Sequence, residues 1–291
     1  MIRFGFHMSI AGAISNAART AGESGYGAFQ LFTASSRPWK QKQVGKADAT
    51  EFVRYLKDYD TEPFAHIPYL CNLASANPEV LAKSREMLIT NMRNCSELSI
   101  GNLVIHMGSH LGKGAEYGLG SITESLGMAF DAVHGVRILL ENTSGYTNSI
   151  GSTFTEISKV TDEFEAGKVG ICLDTCHAFA AGYDLRNADG IGAMVKELDT
   201  KIGLDRLGLV HLNDAKFDIG SKLDRHWHIG KGFIGESGFA AFFENEAFRK
   251  GSFVMETPVN AQGGDESNIR TLSRILKKAG LEVSHAKALT A

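Results

Sequence analysis

Apolar runs of four to seven residues recur along the chain at a near-even interval, and the stretches between them carry helical periodicity. The runs are Ile2–Met8, Ala28–Phe32, Pro63–Ile67, Leu103–His106, Arg137–Glu141, Val169–Asp174, Leu207–Leu212 and Ser252–Glu256. Most are apolar without strict alternation, as in parallel strands covered on both faces. Helices are predicted over Ile14–Ser24, Asp48–Tyr59, Pro78–Ser99, Ser121–Val133, Thr153–Phe164, Ile191–Lys201, Glu236–Phe243 and Glu266–Ala279. Asn77-Pro78 supplies an N-cap followed by proline at the first helical position. Gly101 and Gly280 stand where glycines end helices. Eight alternations of strand and helix predict an α/β fold, a single-domain (β/α)8 TIM barrel. A doubly wound open sheet is the competing arrangement. The even spacing favours the barrel, with eight units using residues 1–280 and leaving 281–291 as a C-terminal tail.

In a barrel the C-terminal ends of the strands converge on one mouth, where active sites sit. Strands three to eight end in His66, His106, Glu141, Asp174, His211 and Glu256. Any one of these alone reads as a capping carboxylate or a satisfied histidine. Six consecutive ends carrying such groups, in a chain with 10 histidines, point to a shared site. His177 follows Asp174 by three residues, and the segment after strand seven, Asp224-Arg-His226, places two more donors in one loop. Crowded carboxylates repel each other and lose hydration, so they need cations or protons. Imidazole and carboxylate without thiolate suit zinc or a related divalent ion, and nine candidate donors are too many for one ion. Manganese or iron fit the same donors. Cys172 and Cys176 are expected to be packing residues: two residues before Asp174, Cys172 falls in the barrel interior.

Composition narrows the picture further. Hydrophobic content of 43% and charged content of 22% are those of a soluble globular protein. A net charge of −3 offers no bulk attraction to nucleic acid. Basic residues nevertheless gather in the loops at the predicted mouth: Arg37, Lys40, Lys42, Lys113, Lys216, Lys222, Arg225 and Lys231. The four cysteines form no C-x-x-C pair, and neither an apolar leader nor a membrane span is evident. The expectation is a cytoplasmic, monomeric protein.

Several stretches resemble endonuclease IV, the zinc-dependent apurinic/apyrimidinic endonuclease family, over nearly the whole chain. They are FTASSRPW (32–39), HIPYLCNL (66–73), IHMGSHLG (105–112), LLENTSG (139–145), CLDTCHAFAAGYDLR (172–186), VHLNDAK (210–216), DRHWHIGKGFIG (224–235) and METP (255–258). LDTCHAFAAGYDLR and HLNDAK are highly specific. The resemblance implies a trinuclear zinc cluster. One ion would be held by His66, His106 and Glu141, and a second by Glu141, Asp174, His211 and Glu256, with Glu141 bridging and catalytic. The third would be held by His177, Asp224 and His226. It also implies cleavage of double-stranded DNA on the 5′ side of an abasic site, leaving a 3′-hydroxyl and a 5′-deoxyribose phosphate. By the same resemblance, Arg37, Tyr69 and Leu70 enter the DNA stack once the abasic nucleotide has flipped out. Ala13, Met107 and Trp227 depart from the family pattern, and none removes a donor.

Two other classes stand beside this one. A sugar isomerase or epimerase of the same barrel class also uses His and carboxylates around divalent ions. The Asp224–His226 segment and the basic loops speak against it. A metal-stabilised binder of damaged DNA without catalysis would be expected to have lost donors.

Overall fold

A computed structural model describes residues 1–258 and 264–281 of the chain. Eight strands lie parallel in one sheet: β1 (Ile2–Phe6), β2 (Ala28–Phe32), β3 (Glu62–His66), β4 (Asn102–His106), β5 (Arg137–Glu141), β6 (Val169–Asp174), β7 (Leu207–His211) and β10 (Gly251–Met255). Two short strands, β8 (Asp214–Ala215) and β9 (His226–Trp227), pair antiparallel above the mouth. Hydrogen bonding runs β1-β10-β7-β6-β5-β4-β3-β2. Its two ends meet where the Gly27 amide donates to Phe4 O at 3.1 Å and the Met8 amide donates to Gln30 O at 2.7 Å. The sheet therefore closes on itself as a single-domain TIM barrel.

The helices outside it are α1 (Ser15–Glu23), α2 (Lys46–Tyr59), α3 (Pro78–Glu97), α4 (Ala115–Ala132), α5 (Phe154–Thr161), α6 (Thr175–Ala181), α7 (Ala188–Lys201), α8 (Gly235–Glu244) and α9 (Gly264–Lys278). Each predicted strand is present to within a residue or two. The side chain of Asn77 caps α3, accepting from the amides of Glu79 and Val80. Two expectations need correction. Helix α4 begins at Ala115 rather than Ser121, because Gly118 hides its start; a Cβ there would lie 2.2 Å from Ile150 Cδ1, so the position is a close packing contact. Past α3 the left-handed residue is Ser99 (φ 56), not Gly101. The sixth unit carries two helices: α6, which Asp174 caps and which holds His177 in its first turn, and α7 over the expected Ile191–Lys201. Of the expected tail at 281–291, all but Leu281 lies outside the described residues.

The barrel interior is a plug of buried side chains from seven strands: Ala28, Phe64, Val104, Leu139, Cys172, Leu209 and Val254. From the remaining strand comes Gly5, where a Cβ would stand 1.8 Å from Ala28 O. This tight approach lets β1 and β2 close the wall. Cys172 lies in the plug and Cys176 in the larger core between barrel and helices, both as packing residues.

Candidate metal centre

Side chains alternate between the two faces of a strand, so residues two apart share a face. Two positions beyond each plug residue, the inward face reaches the mouth. Phe64 leads to His66, Val104 to His106, Leu139 to Glu141, Cys172 to Asp174, Leu209 to His211 and Val254 to Glu256. The same stagger carries Ala28 to Gln30 and Gly5 to His7, so all eight strands contribute one polar group to the ring. His7 and Gln30 escaped the sequence reading, which considered only strand ends; the two-residue step applied to β1 and β2 finds them.

Glu141 stands at the centre, 1% exposed. Its Oε2 is 3.0 Å from His66 Nε2 and 3.7 Å from His106 Nε2. Its Oε1 is 3.1 Å from His211 Nδ1 and 3.2 Å from His177 Nδ1. Each oxygen thus faces a different set of imidazoles. His211 Nδ1 also lies 3.3 Å from Glu256 Oε2 and 3.8 Å from Asp174 Oδ2. His226 Nε2 lies 3.4 Å from Asp174 Oδ2. Asp224, from the loop between β8 and β9, closes the open side, with Oδ1 3.2 Å from His177 Nε2 and 3.6 Å from His226 Nε2.

The histidines are oriented by carbonyl oxygens, which can only accept. His66 Nδ1 donates to Ile67 O at 2.6 Å, His177 Nδ1 to Asn142 O at 3.0 Å and His226 Nδ1 to Glu256 O at 3.3 Å. Each Nε2 is left facing the mouth. His211 is turned the other way: its Nε2 meets Gln30 Oε1 at 2.8 Å, and Nδ1 faces inward.

Electrostatics follow from this crowding. Burial works against the charge of Glu141, but His106, His211 and His177 outweigh it and hold its carboxyl well below the usual range. Asp174 is likewise buried, and His177 and His226 keep it ionised. Asp224 is held at about 2, burial being outweighed chiefly by His177. Burial disfavours a charged His226, yet Asp174 lifts its value to about 9. His106 is shifted down by burial. Ionised carboxylates surrounded by imidazoles thus form a site that stores positive charge, as protons or as cations.

Three observations test whether metal ions fit. Among the described residues, the buried Nε2 atoms of His106, His177 and His226 make no hydrogen bond. Unused imidazole nitrogens aimed at carboxylates are what metal ligation consumes. Donor atoms also gather within 4.8 Å of one another in three groups: His66, His106 and Glu141; Glu141, Asp174, His211 and Glu256; and Asp174, His177 and His226. Glu141 and Asp174 each belong to two groups. The third gathers Asp174 with His177 and His226, and Asp224, its side chain 48% exposed, closes the same group from the rim with Oδ1 3.2 Å from His177 Nε2 and 3.6 Å from His226 Nε2. The chain therefore holds His, Asp and Glu groups that could bind metals.

Residues with no signal of their own support these donors. The Asn142 side chain clamps the Asp174 backbone, accepting from its amide at 2.7 Å and donating to its carbonyl at 3.1 Å. Asn213 donates to Asp174 Oδ2 at 2.8 Å and accepts from the Glu256 amide at 2.8 Å. Buried Asp214 accepts from the amides of Ala215, Gly232, Ile234 and Gly235, so one carboxylate folds back the loop that carries Asp224 and His226. Asn213 and Asp214 lie in the HLNDAK stretch, which supplied their only signal.

Beside the centre opens a cavity of about 280 Å³ whose walls include Tyr69, Asn72, His106, Ser109, Ser144 and Tyr146. Tyr69 is 67% exposed, with its ring 5.5 Å from that of His106 and 5.7 Å from that of His66. Leu70 is half-buried against the core. Arg37 is exposed in the loop after β2. The eight basic residues noted in the mouth loops are all exposed, and Lys216 Nζ lies 4.6 Å over the Trp227 ring.

A family model described as xylose isomerase-like TIM barrel matches residues 18–279. The chain is 43% identical over 273 residues to a protein of Cenarchaeum symbiosum named probable endonuclease 4, covering 92% of this chain and 98% of that one. A probable endonuclease 4 of Methanoculleus marisnigri is 44% identical over 273 residues, with 92% and 97% covered. Among solved structures, endonuclease IV from Thermus thermophilus superposes with a TM-score of 0.85 at 31% identity, across 95% of this chain and 99% of that one. With the barrel, the donor ring and relatives matched almost end to end, the chain belongs to the endonuclease IV family of xylose isomerase-like TIM barrels.

Proposed function

We propose that the protein incises double-stranded DNA on the 5′ side of an abasic site, leaving a 3′-hydroxyl and a 5′-deoxyribose phosphate, with three zinc ions at the barrel mouth. As a member of the endonuclease IV family it is a DNA-hydrolysing abasic-site endonuclease and a DNA-repair hydrolase. The observation that carries the finer reading is the division of Glu141, whose two oxygens face two separate sets of imidazoles. A carboxylate so placed can serve two ions at once.

His66, His106 and Glu141 would hold one ion, and Glu141, Asp174, His211 and Glu256 a second. His177 and His226, with Asp174 behind them and Asp224 at the rim, would hold the third. Mixed imidazole and carboxylate donors suit zinc, and manganese or iron fit the same atoms. Bound there, the ions would supply Lewis acidity, a nucleophilic water at neutral pH and charge for the departing oxygen. Four carboxylates against three divalent ions leave a surplus of about two positive charges, which draws a phosphodiester into a protein of net charge −3.

The chain's own residues supply position and selectivity. Carbonyl oxygens hold three of the imidazoles in one tautomer, so the donors need no reorganisation when substrate arrives. The cavity beside His106 and Tyr69 suits a sugar without its base. An abasic nucleotide leaves the stack cheaply because no base has to be unpaired. Tyr69, with its exposed ring, and Leu70 would fill the gap, with Arg37 steadying the backbone. The four buried, unpaired thiols agree with a reducing cytoplasm, and the protein would act there as a monomer.

The test is a duplex carrying one abasic site, incubated with zinc-replete protein beside a panel of ketoses. The expected result is a single nick whose 3′ end a polymerase extends, with every ketose unchanged. Ketose interconversion with intact duplex would assign the site to sugar chemistry. A gel shift without a nick would leave only a binder of damaged DNA.

A further inference from the structure

Gln30 is fully buried at the mouth of the barrel. Nothing about an uncharged amide among apolar neighbours in the run Ala-Phe-Gln-Leu-Phe marks it as part of a metal centre. A buried amide left unsatisfied is costly, so its partners matter. Its Oε1 lies 2.8 Å from His211 Nε2. Its Nε2 donates to Glu256 Oε1 at 2.7 Å and stands 3.0 Å from His7 Nδ1.

These contacts determine which way the amide points. The Glu256 carboxylate, when ionised, can only accept, so it must face the amide nitrogen. The amide oxygen is then turned to His211 and can only accept, so His211 Nε2 must carry a proton. The inward nitrogen of His211 is therefore Nδ1, the reverse of His66, His177 and His226, whose Nδ1 groups meet carbonyl oxygens. On the other side, one oxygen of Glu256 is taken by Gln30 and the other, Oε2, is left 3.3 Å from His211 Nδ1. A single side chain thus sets the tautomer of one donor and the rotation of a second.

We propose that Gln30 is a positioning residue for the metal held by Glu141, Asp174, His211 and Glu256, fixing His211 as an Nδ1 donor and Glu256 as an Oε2 donor. The inference rests on the metal reading above and deepens it. Outer hydrogen-bonding partners of this kind, when removed, cost about ten- to a hundredfold in metal affinity. The loss should fall on this one ion, because among the described residues the side chain of Gln30 meets His211, Glu256 and His7 and no donor of the other two groups.

The test uses Gln30→Met, which keeps the volume and removes both hydrogen bonds, and Gln30→Glu, which keeps an acceptor for His211 but sets a carboxylate against Glu256. Folding is checked by circular dichroism, and metal per chain is counted after dialysis against graded chelator. In zinc-loaded, histidine-labelled protein, nitrogen-resolved NMR reads which ring nitrogen of His211 carries the proton. The expected wild type shows His211 protonated at Nε2. The expected Gln30→Met protein is folded, loses that protected proton and releases one metal equivalent at about ten- to a hundredfold less chelator. Gln30→Glu should keep the Nε2 proton and still hold its metal less tightly. A metal-loaded wild type with His211 protonated at Nδ1, or a Gln30→Met protein with unchanged chelator resistance, would overturn the role of Gln30 alone. If Gln30→Met cannot fold, the wild-type proton position and the Gln30→Glu titration decide. A folded wild type that binds no metal would overturn the metal reading itself, and this inference with it.

Discussion

Among single residues Glu141 has the most consequence, since each of its oxygens serves a different set of histidines. Glu141→Gln keeps the shape but replaces one oxygen with an amide that donates. One set then loses its acceptor, and the centre loses a unit of negative charge. The expected outcome is a folded protein, by circular dichroism, that binds fewer metals and cleaves abasic duplex at least about a hundredfold more slowly, on the order of what outer and inner metal contacts are worth. Near-wild-type cleavage would remove Glu141 from the centre. At this scale the sequence was legible where chemistry and periodicity coincide. His66, His106, Asp174 and His211 stand at strand ends and carry obvious donors. Gln30 lies two residues short of the end of its strand, and an amide has no metal-ligand signature. Asn142 and Asn213 act through contacts across 32 and 43 residues, which no local pattern reveals.

Elements were legible in proportion to their length. The strands and long helices have enough turns or alternations to show a period. The two-residue strands β8 and β9 do not, and their pairing depends on Asp214 gathering distant amides. Helix α1 offers another case of a local structure set from afar. Ile14, the residue before it, offers no side-chain cap, and the amides of Ile14 and Ser15 instead donate to Asp48 at 2.8 and 3.0 Å, from the first turn of α2. Burial opposes the charge on Asp48, yet the Ser15 and Ile14 hydrogen bonds outweigh it and lower its pKa. A depressed carboxylate contributes stability above its unfolded value of about 3.9, and that contribution is lost as pH falls through the lower folded value. Asp48→Ala should cost about 1 kcal/mol at neutral pH, as lost caps do. The difference in urea midpoint between variant and wild type should shrink below about pH 4. A difference that grows in acid would mean that the carboxylate does not act as the cap.

At the scale of the whole molecule, fold and site are one arrangement. The two-residue step that fills the barrel with an apolar plug also lifts eight polar groups to the mouth, where carboxylates and imidazoles accumulate. Among the described residues no helix is long and apolar enough to cross a membrane. Ions that bind only the folded chain stabilise it by mass action, about 4 kcal/mol for a site a thousandfold above its dissociation constant. Stripping the protein with chelator should lower its melting temperature by roughly 10 °C, and zinc should restore it. A melting curve indifferent to chelator would argue that protons alone satisfy the carboxylates. Binding to abasic duplex should weaken steeply with salt, because the attraction is confined to exposed basic loops and bound cations.

A shared cluster of ions at the barrel mouth is proposed to carry abasic-site incision, and adding zinc stepwise to chelator-stripped protein, while following metal per chain and the initial rate of abasic-duplex cleavage together, tests it. Binding should saturate near three ions per chain, with cleavage absent in the stripped protein and rising only as the cluster fills. Saturation at one ion, or full cleavage by protein without metal, would contradict it.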